Sequence, residues 1–442
     1  MINLPKPIEK ALYMIEEAGY QGYIVGGCVR DAIMGIAPHD YDITTSAMPN
    51  ETKSIFDEYK VIETGIKHGT VTVLMEGYPL EITTFRVEGE YLDGRRPSNV
   101  AFTRSLKEDV ARRDFTMNAM AMDVRGQVYD YFSGRDDIAK GIIRAVGNPR
   151  ERFQEDALRI MRALRFSAKT GFKIEEKTST ALFQCKDSLL HISAERIREE
   201  LVGLLLGKAV KKVLIEYLDI LTVVIPELQP LKGFDQKSKW HIYDVLEHTA
   251  VSVEAAPAEE HLRIAMLLHD IGKPKCFSIG DDGEGHFYGH ANLSMDMARD
   301  ILNRLKFDNE TKDRVLRAIK YHDVQIEPAT KQVKRALNKY TAEGFFDLVA
   351  VKRADNLAQN PNLAERQGYL DSLVQIAEEI IKEEQCFSLK DLAVNGRDLI
   401  EMGMKPGKEI GQVLDALLEA VIEEKLPNDK AEMLKFAQKI KK

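Results

Sequence analysis

The chain has 442 residues, 44% of them apolar and 30% charged, with a net charge of −8; this excludes a disordered polymer and predicts about three domains. No apolar run approaches the roughly 18 residues that span a bilayer, and the opening MINLPKPIEK lacks an apolar signal core, so the expectation is a cytoplasmic protein with no membrane partner. Cys28, Cys185, Cys276 and Cys386 form no CxxC pair, which argues against a disulfide framework or a zinc knuckle.

Residues 7–18 place Ile8, Leu12 and Ile15 at helical spacing, and Gly19 ends the stretch. GYIVGG (22–27) reads as a strand running into a helix that opens at VRDAIMG. YDITT (41–45), TVTVLM (70–75) and LEITTF (80–85) read as further strands, the last two with period-two alternation. Strands interleaved with short helices to about residue 145 predict a mixed α/β head. After Pro149 strand signals fade, and amphipathic helices are predicted at 155–171, in EEKTSTALFQC, and at 194–207. Helices continue beyond Trp240, where seven of the ten histidines accumulate. The loop GDDGEG (280–285) interrupts this block, and GRDLIEMGMKPG (396–407) punctuates the last helical one.

Charge is uneven. Between Arg95 and Lys173, 17 Lys/Arg stand against 10 Asp/Glu, a local +7 that leaves −15 for the rest. A basic tract in an acidic chain is a candidate phosphate-binding surface, although solvated helix faces explain the charge equally well.

The densest chemistry lies between residues 26 and 42. The pair Gly26–Gly27 between strand and helix lets backbone amides approach a triphosphate, and Arg30 is placed to fork onto phosphate. Asp40 and Asp42, two apart on a strand, point to one face and together suit a pair of magnesium ions. Such ions lower the pKa of an attacking hydroxyl and neutralise leaving pyrophosphate. Glu81 on the LEITTF strand is either a third metal carboxylate or an exposed strand residue, and the second is the simpler reading.

GGCVRD…HDYDI resembles the polymerase-beta-type nucleotidyltransferase signature. Downstream, RRDFTMNAMAMD (112–123), DYFSGRDDI (130–138), EDALRIMRALRF (155–166) and ERIREEL (195–201) resemble, in order, the further motifs of class II tRNA nucleotidyltransferases, which build or repair the CCA end of tRNA. The resemblance implies a multidomain fold: a mixed-sheet α/β head (1–145), an all-α neck (146–225), a helical body (226–362) and a tail contacting tRNA (363–442). It implies tRNA, CTP and ATP as partners, Mg2+ as cofactor, and no DNA. Asp156 and Arg159 would read the base edge, Arg162 and Arg165 would hold phosphate or sugar, and Arg113 would contact the nucleotide. A carboxylate accepting from an exocyclic amine and an arginine donating to a ring nitrogen together accept C and A but not U or G. Without the upstream motifs, the arginine stripe would read as a solvated helix face. Residues 85–100 stand where complete CCA-adders carry a flexible loop, with Gly89, Gly94 and Pro97 suited to a mobile segment. This favours full CCA addition over CC-only addition and leaves an A-adder open. The related bacterial poly(A) polymerases usually carry a long basic C-terminal extension, which this acidic chain lacks.

His269-Asp270-Ile271-Gly272 resembles the HD phosphohydrolase signature, with His248 and Asp355 as outer members and His290 and His322 between them. Imidazoles with carboxylates suit Mn, Ni, Fe or Zn. His241, His261 and His286 read as ordinary structural histidines. The competing readings are a partial adder or poly(A) polymerase, a phosphohydrolase with a regulatory nucleotide-binding head, and an idle tRNA-binding protein. Intact Asp40 and Asp42 argue against the last two.

Overall fold

The structure, a computed structural model, describes residues 4–38, 40–88, 100–281, 283–361 and 365–440. His39 and most of the expected mobile segment, 89–99, therefore lie outside the described residues. The chain forms two compact units, Met1–Pro226 and Glu227–Lys442.

The first unit is built on a seven-stranded mixed sheet. Its strands run Lys60–Ile62, Thr70–Met75, Tyr78–Thr84, Asp42–Thr45, Gly22–Val25, Met120–Met122 and Val128–Asp130 across the sheet. Alternation decides the faces: Val71, Val73 and Met75 are buried while Thr70, Thr72 and Leu74 are half-exposed. The helix Lys6–Glu17 adds Ile8, Leu12 and Ile15 to the same core, and Gly19 ends it at φ 85°. Three strands of three residues each (60–62, 120–122, 128–130) escape the sequence reading, being too short to show a period. Strands also persist past the head, since Lys173–Ile174 pairs in parallel with Ile142–Ile143.

The helix predicted over 155–171 is two helices, Pro149–Glu155 and Leu158–Thr170. Between them Asp156 takes extended backbone (φ −140°, ψ 104°), and its Oδ1 accepts from the Leu158 amide at 3.1 Å. Aspartate competes well for free amides at a helix boundary, which is why the break falls there. Asp156 is consequently not on the helical face shared by Arg159, Arg162 and Arg165.

Among its described residues the second unit is helical apart from a short antiparallel pair, Ser278–Ile279 with Gly285–His286. Among the described residues, no helix is long and apolar enough to cross a membrane. Helix ends matter most in this unit. His269 and Asp270 directly follow Glu260–Leu268, and His322 and Asp323 directly follow Asn309–Tyr321. His290 opens His290–Arg304, while His248 and Asp355 lie within Val245–Ala255 and Ala342–Leu357.

Candidate nucleotidyl-transfer site and metal centre

In the head, Asp42 starts its strand exposed, paired with Val25 on one side and in parallel register with Glu81 on the other. Asp40 is exposed two residues earlier, ahead of the strand rather than in it. Neighbouring residues in register share a face of the sheet, so Glu81 borders the carboxylate pair as a third acid. Gly26 has φ 80°, and a Cβ there would stand 2.5 Å from Arg113 Nη1. Glycine at this turn thus leaves room for the arginine to lie over it. Gly27 begins the following helix, Gly27–Ile33. Burial lowers the Arg113 pKa, as does the charge of Arg112, while Asp109 and Asp42 oppose the shift. Its Nε is buried without a hydrogen-bond partner. A buried guanidinium with an unspent donor suits an incoming anion.

Arg30 is placed differently from the sequence expectation. Its Nε and Nη2 engage Asp31 Oδ1 at 2.8 and 2.7 Å, Nη1 donates to Asn118 Oδ1 at 2.8 Å, and the group stacks 5.2 Å from the Phe166 ring centre. The fork expected to hold phosphate is spent inside the protein. Arg30 therefore ties this helix to Asn118, and to hold phosphate it would have to give up these partners.

The same ring gathers the neck arginines. Arg162 and Arg165 lie 5.5 and 4.8 Å from the Phe166 ring centre. Arg162 pairs with Asp114 Oδ2 at 2.7 Å and with Glu200 at 3.6 Å; Arg165 pairs with Glu200 at 2.6 Å. Asn118 donates to Asp114 Oδ1 at 3.0 Å, which joins Arg30 to this network. Burial alone would raise the Asp114 carboxyl, yet Arg162, Asn118 and the Phe115 amide hold it below its ordinary value. Arg159 is buried and donates to Glu155 at 2.6 Å and to the Arg152 and Arg112 carbonyls at 3.1 Å. Asp156 Oδ2 accepts from Arg196 at 2.8 Å. All four neck residues expected to meet nucleotide are thus paired within the protein. Their partners Asp114, Arg196 and Glu200 were missed as site residues, although each lies inside a motif already quoted.

The histidine block converges. His248, His269 and Asp270 bring ligand atoms within 4.8 Å of one another, as do Asp270, His290 and His322. Asp355 Oδ1 stands 2.9 Å from His248 Nε2 and 3.6 Å from His269 Nε2. Asp270 reaches both groups, 3.1 Å from His269 Nε2 and 3.4 Å from His290 Nε2. In all four imidazoles Nδ1 meets a backbone carbonyl, of Ala358, Met266, Phe287 and Ile319 respectively, at 2.7–3.2 Å. A carbonyl only accepts, so each Nδ1 carries a proton, and each Nε2, when it holds none of its own, offers a lone pair inward. Two of these carbonyls belong to the last turns of helices, which leave such groups unpaired. Imidazole nitrogens and carboxylates facing one another in a buried space need positive charge between them, a proton or a metal ion. The Nε2 atoms of His248 and His269 have no hydrogen-bond partner. Two donors held ~2.1 Å from one ion stand roughly 3.0–3.4 Å apart; the separations here run from 2.9 to 4.0 Å, around that range. The residues fit metal binding: His248, His269 and Asp270, or Asp270, His290 and His322, would supply the ligands.

Two members of this centre went unread in the sequence. Asp323 Oδ2 lies 3.1 Å from His290 Nε2 and Oδ1 3.4 Å from His322 Nε2; the YHD triplet, a second His-Asp pair, was the available signal. Lys273, buried, holds Asp270 Oδ2 at 2.6 Å and Gln236 Oε1 at 2.8 Å. His261 pairs with Asp347 at 3.0 Å, as an ordinary structural histidine does. His241 is forced down to about pKa 3 by burial and by the Lys273 charge, and it packs 5.2 Å from the His248 ring.

Known proteins resemble this chain along its whole length. Residues 22–144 match the profile of the poly A polymerase head domain, 171–232 that of the "Probable RNA and SrmB- binding site of polymerase A", and 286–437 that of tRNA nucleotidyltransferase domain 2. The chain is 38% identical over 437 residues to the CCA-adding enzyme of Limosilactobacillus fermentum, covering 99% of this chain and 97% of the relative. The chain belongs to the CCA-adding enzyme family. Another such relative, from Ligilactobacillus salivarius, is 37% identical over 442 residues, covering 99% of this chain and 98% of the relative. The Bacillus stearothermophilus CCA-adding enzyme in complex with CTP superposes with a TM-score of 0.73 at 30% identity, covering 99% of this chain and 98% of the other. The CCA-adding enzyme of Thermotoga maritima, complexed with tRNA, shares the fold at a TM-score of 0.58 and 21% identity, covering 98% of this chain and 95% of the other. Family membership accounts for the mixed-sheet head followed by helices.

Proposed function

We propose that the protein builds and repairs the 3′-terminal CCA of tRNA from CTP and ATP, releasing pyrophosphate, in the cytoplasm. The observation that carries this is the head geometry: exposed Asp42, in register with Glu81, adjoins the turn where Arg113 lies over Gly26. Divalent ions, Mg2+ in this reading, would supply activation of the RNA 3′-hydroxyl and charge neutralisation on the triphosphate. Asp40 and Asp42 would hold them, and Arg113 would meet the triphosphate with its unspent Nε. Asp156 and Arg159 exchange Arg196 and Glu155 for the amine and ring nitrogen of cytosine or adenine. Arg162 and Arg165, fixed by Asp114 and Glu200, hold the sugar–phosphate. The four-part division at 145, 225 and 362, with the tail on tRNA, is part of this reading.

The test is incubation with tRNA lacking its 3′ end and each labelled NTP, with the products sized. Addition of C, C and then A in order supports the reading. Only CC, only A, or long oligo(A) products identify a partial adder or a poly(A) polymerase instead.

A second reading concerns the histidine centre, favoured by four inward Nε2 atoms around buried Asp270 and half-buried Asp355. We propose that His248, His269, Asp270 and Asp355 hold one transition metal and Asp270, His290, His322 and Asp323 a second, Mn, Ni, Fe or Zn, serving metal-dependent phosphohydrolysis.

A further inference from the structure

The histidine centre does not lie at the bottom of a single cleft. It forms a wall common to two cavities. One, of about 380 Å³, is lined by Asp270, His290, Trp240, His286, Tyr288 and Lys273; the other, of about 390 Å³, by Lys352, Asn356, Gln325 and Arg366. His322, Asp323, Asp355 and Gln359 line both. Each cavity falls in the ~300–1,000 Å³ range of small-ligand sites.

The two differ in chemistry. The first has an aromatic rim: Tyr288 is 78% exposed, and its ring stacks on His286 at 5.3 Å with planes 9° apart. Trp240, 38% exposed, carries the Arg366 guanidinium 4.8 Å from its ring centre and the Lys239 ammonium at 5.3 Å. Exposed rings beside cations are the surfaces on which nucleic-acid bases stack. The second cavity offers hydrogen-bonding groups. Arg366 donates to Gln359 Oε1 at 2.6 Å, Gln359 donates to Asp355 Oδ2 at 2.9 Å, and Lys352 donates to the His322 carbonyl at 2.7 Å. Gln359 thus joins the Arg366–Trp240 stack to a metal-ligand carboxylate.

A phosphomonoester, or a diester closed on one sugar, sends all its organic substituents to one side of the phosphate. It needs one cavity. A linear diester sends two, in divergent directions. We propose that the metal centre takes a linear phosphodiester of RNA type lying across it, with one nucleoside stacked on the Trp240–Tyr288 rim and the other in the cavity of Arg366, Lys352 and Asn356. The inference rests on the metal-centre reading above and adds the ligand class.

Trp240 is the chain's single tryptophan, so intrinsic tryptophan fluorescence reports this rim alone. The full chain is first incubated with Mn2+ and its bound metal measured. Absence of bound Mn2+ overturns the metal-centre reading itself and this inference with it. The loaded protein is then titrated with a non-hydrolysable dinucleoside phosphorothioate and, separately, with a nucleoside 3′-monophosphate. Midpoints are read rather than amplitudes, because Arg366 packs on the fluorophore. The expected result is a midpoint about tenfold or more lower for the dinucleoside, since a second nucleoside adds its own contacts. Arg366→Ala should erase that advantage and leave the mononucleotide midpoint in place. Tyr288→Ala, at an exposed position that does not support the fold, should weaken both ligands. A longer oligoribonucleotide separates two sources of the same chemistry: an equal midpoint indicates RNA chains, a much weaker one free dinucleotides. With Mn2+ bound, equal midpoints for dinucleoside and mononucleotide, or an Arg366→Ala that weakens both alike, overturn the proposal.

Discussion

Occupation of the histidine centre should be visible as stability. The ligands come from five helices or helix ends, 245–255, 260–268, 290–304, 309–321 and 342–357, so ions bound there tie together the body of the second unit. The unfolded chain has no such constellation. At a free metal concentration a hundred times the dissociation constant, linkage gives about 2.7 kcal/mol of added stability. For a unit of this size, each kcal/mol moves the midpoint by ~2–4 °C, so the second unit should melt roughly 5–11 °C higher with Mn2+ than with a chelator. Protons oppose the metal. Burial pulls the His269 pKa down, but Asp270 and Asp355 lift it to about 10. A raised folded-state pKa contributes stability that is complete below the unfolded value near 6.5 and is lost as pH rises through about 10. The metal-free unit should accordingly weaken across that window, and the gain on adding metal should grow with pH. The assay is a thermal melt at several pH values with Mn2+, Ni2+, Fe2+, Zn2+ or chelator, alongside metal analysis and a His269→Ala control that should lose the shift. Identical melts in every condition, with no metal retained, would refute the argument from lone pairs and carboxylates.

Replacing Asp40 or Asp42 with Ala should abolish CMP and AMP incorporation while tRNA binding, measured by gel shift, survives; retained CMP addition would remove the two-metal assignment. Gly26→Ala places a methyl 2.5 Å from Arg113 Nη1 at a backbone angle of φ 80°, and should cost ~1–2 kcal/mol of stability from the left-handed backbone alone and raise the KM for both CTP and ATP. Asp156→Ala should lower discrimination against UTP and GTP by about 1–3 kcal/mol, roughly fivefold to 150-fold, whereas Arg162→Ala should slow all four NTPs alike; unchanged ratios in Asp156→Ala would place base choice elsewhere. Asp114 and Arg162 should be coupled by more than ~1 kcal/mol in a double-mutant melting cycle, a value kept modest because Arg162 is about a third exposed; additive losses would break the proposed network.

Features carried by short stretches of chain were legible in the sequence. The Gly26–Gly27 turn, the Asp40/Asp42 pair, the alternation of 70–75 and the His269–Asp270 pair each depend on residues close together, and local periodicity and spacing report them. The four histidines and two aspartates of the histidine centre could be named in advance because each occupies a motif. Asp323 stands in a second such pair, His322–Asp323, but its role is fixed only where another helix brings His290 against it.

Tertiary structure decided which charges are available. Arg30, Arg159, Arg162 and Arg165 look alike in sequence, as cations spaced for phosphate. Asp31 and Asn118 spend the first, Glu155 and two carbonyls the second, and Asp114 and Glu200 the others. Several of these partners stand 40 or more residues away, and a guanidinium binds whichever oxygen the fold places nearest, so no local pattern reports the outcome. The helix break at Asp156 has a similar origin: the 3.6-residue period runs through it unbroken, but a short carboxylate can satisfy a free amide and an arginine from a distant helix together. The two cavities flanking the histidine centre are the most remote from sequence, being the space left between residues 322–323, the end of helix 342–357 and, for one of them, the segment 285–291, and a space has no residues of its own to read.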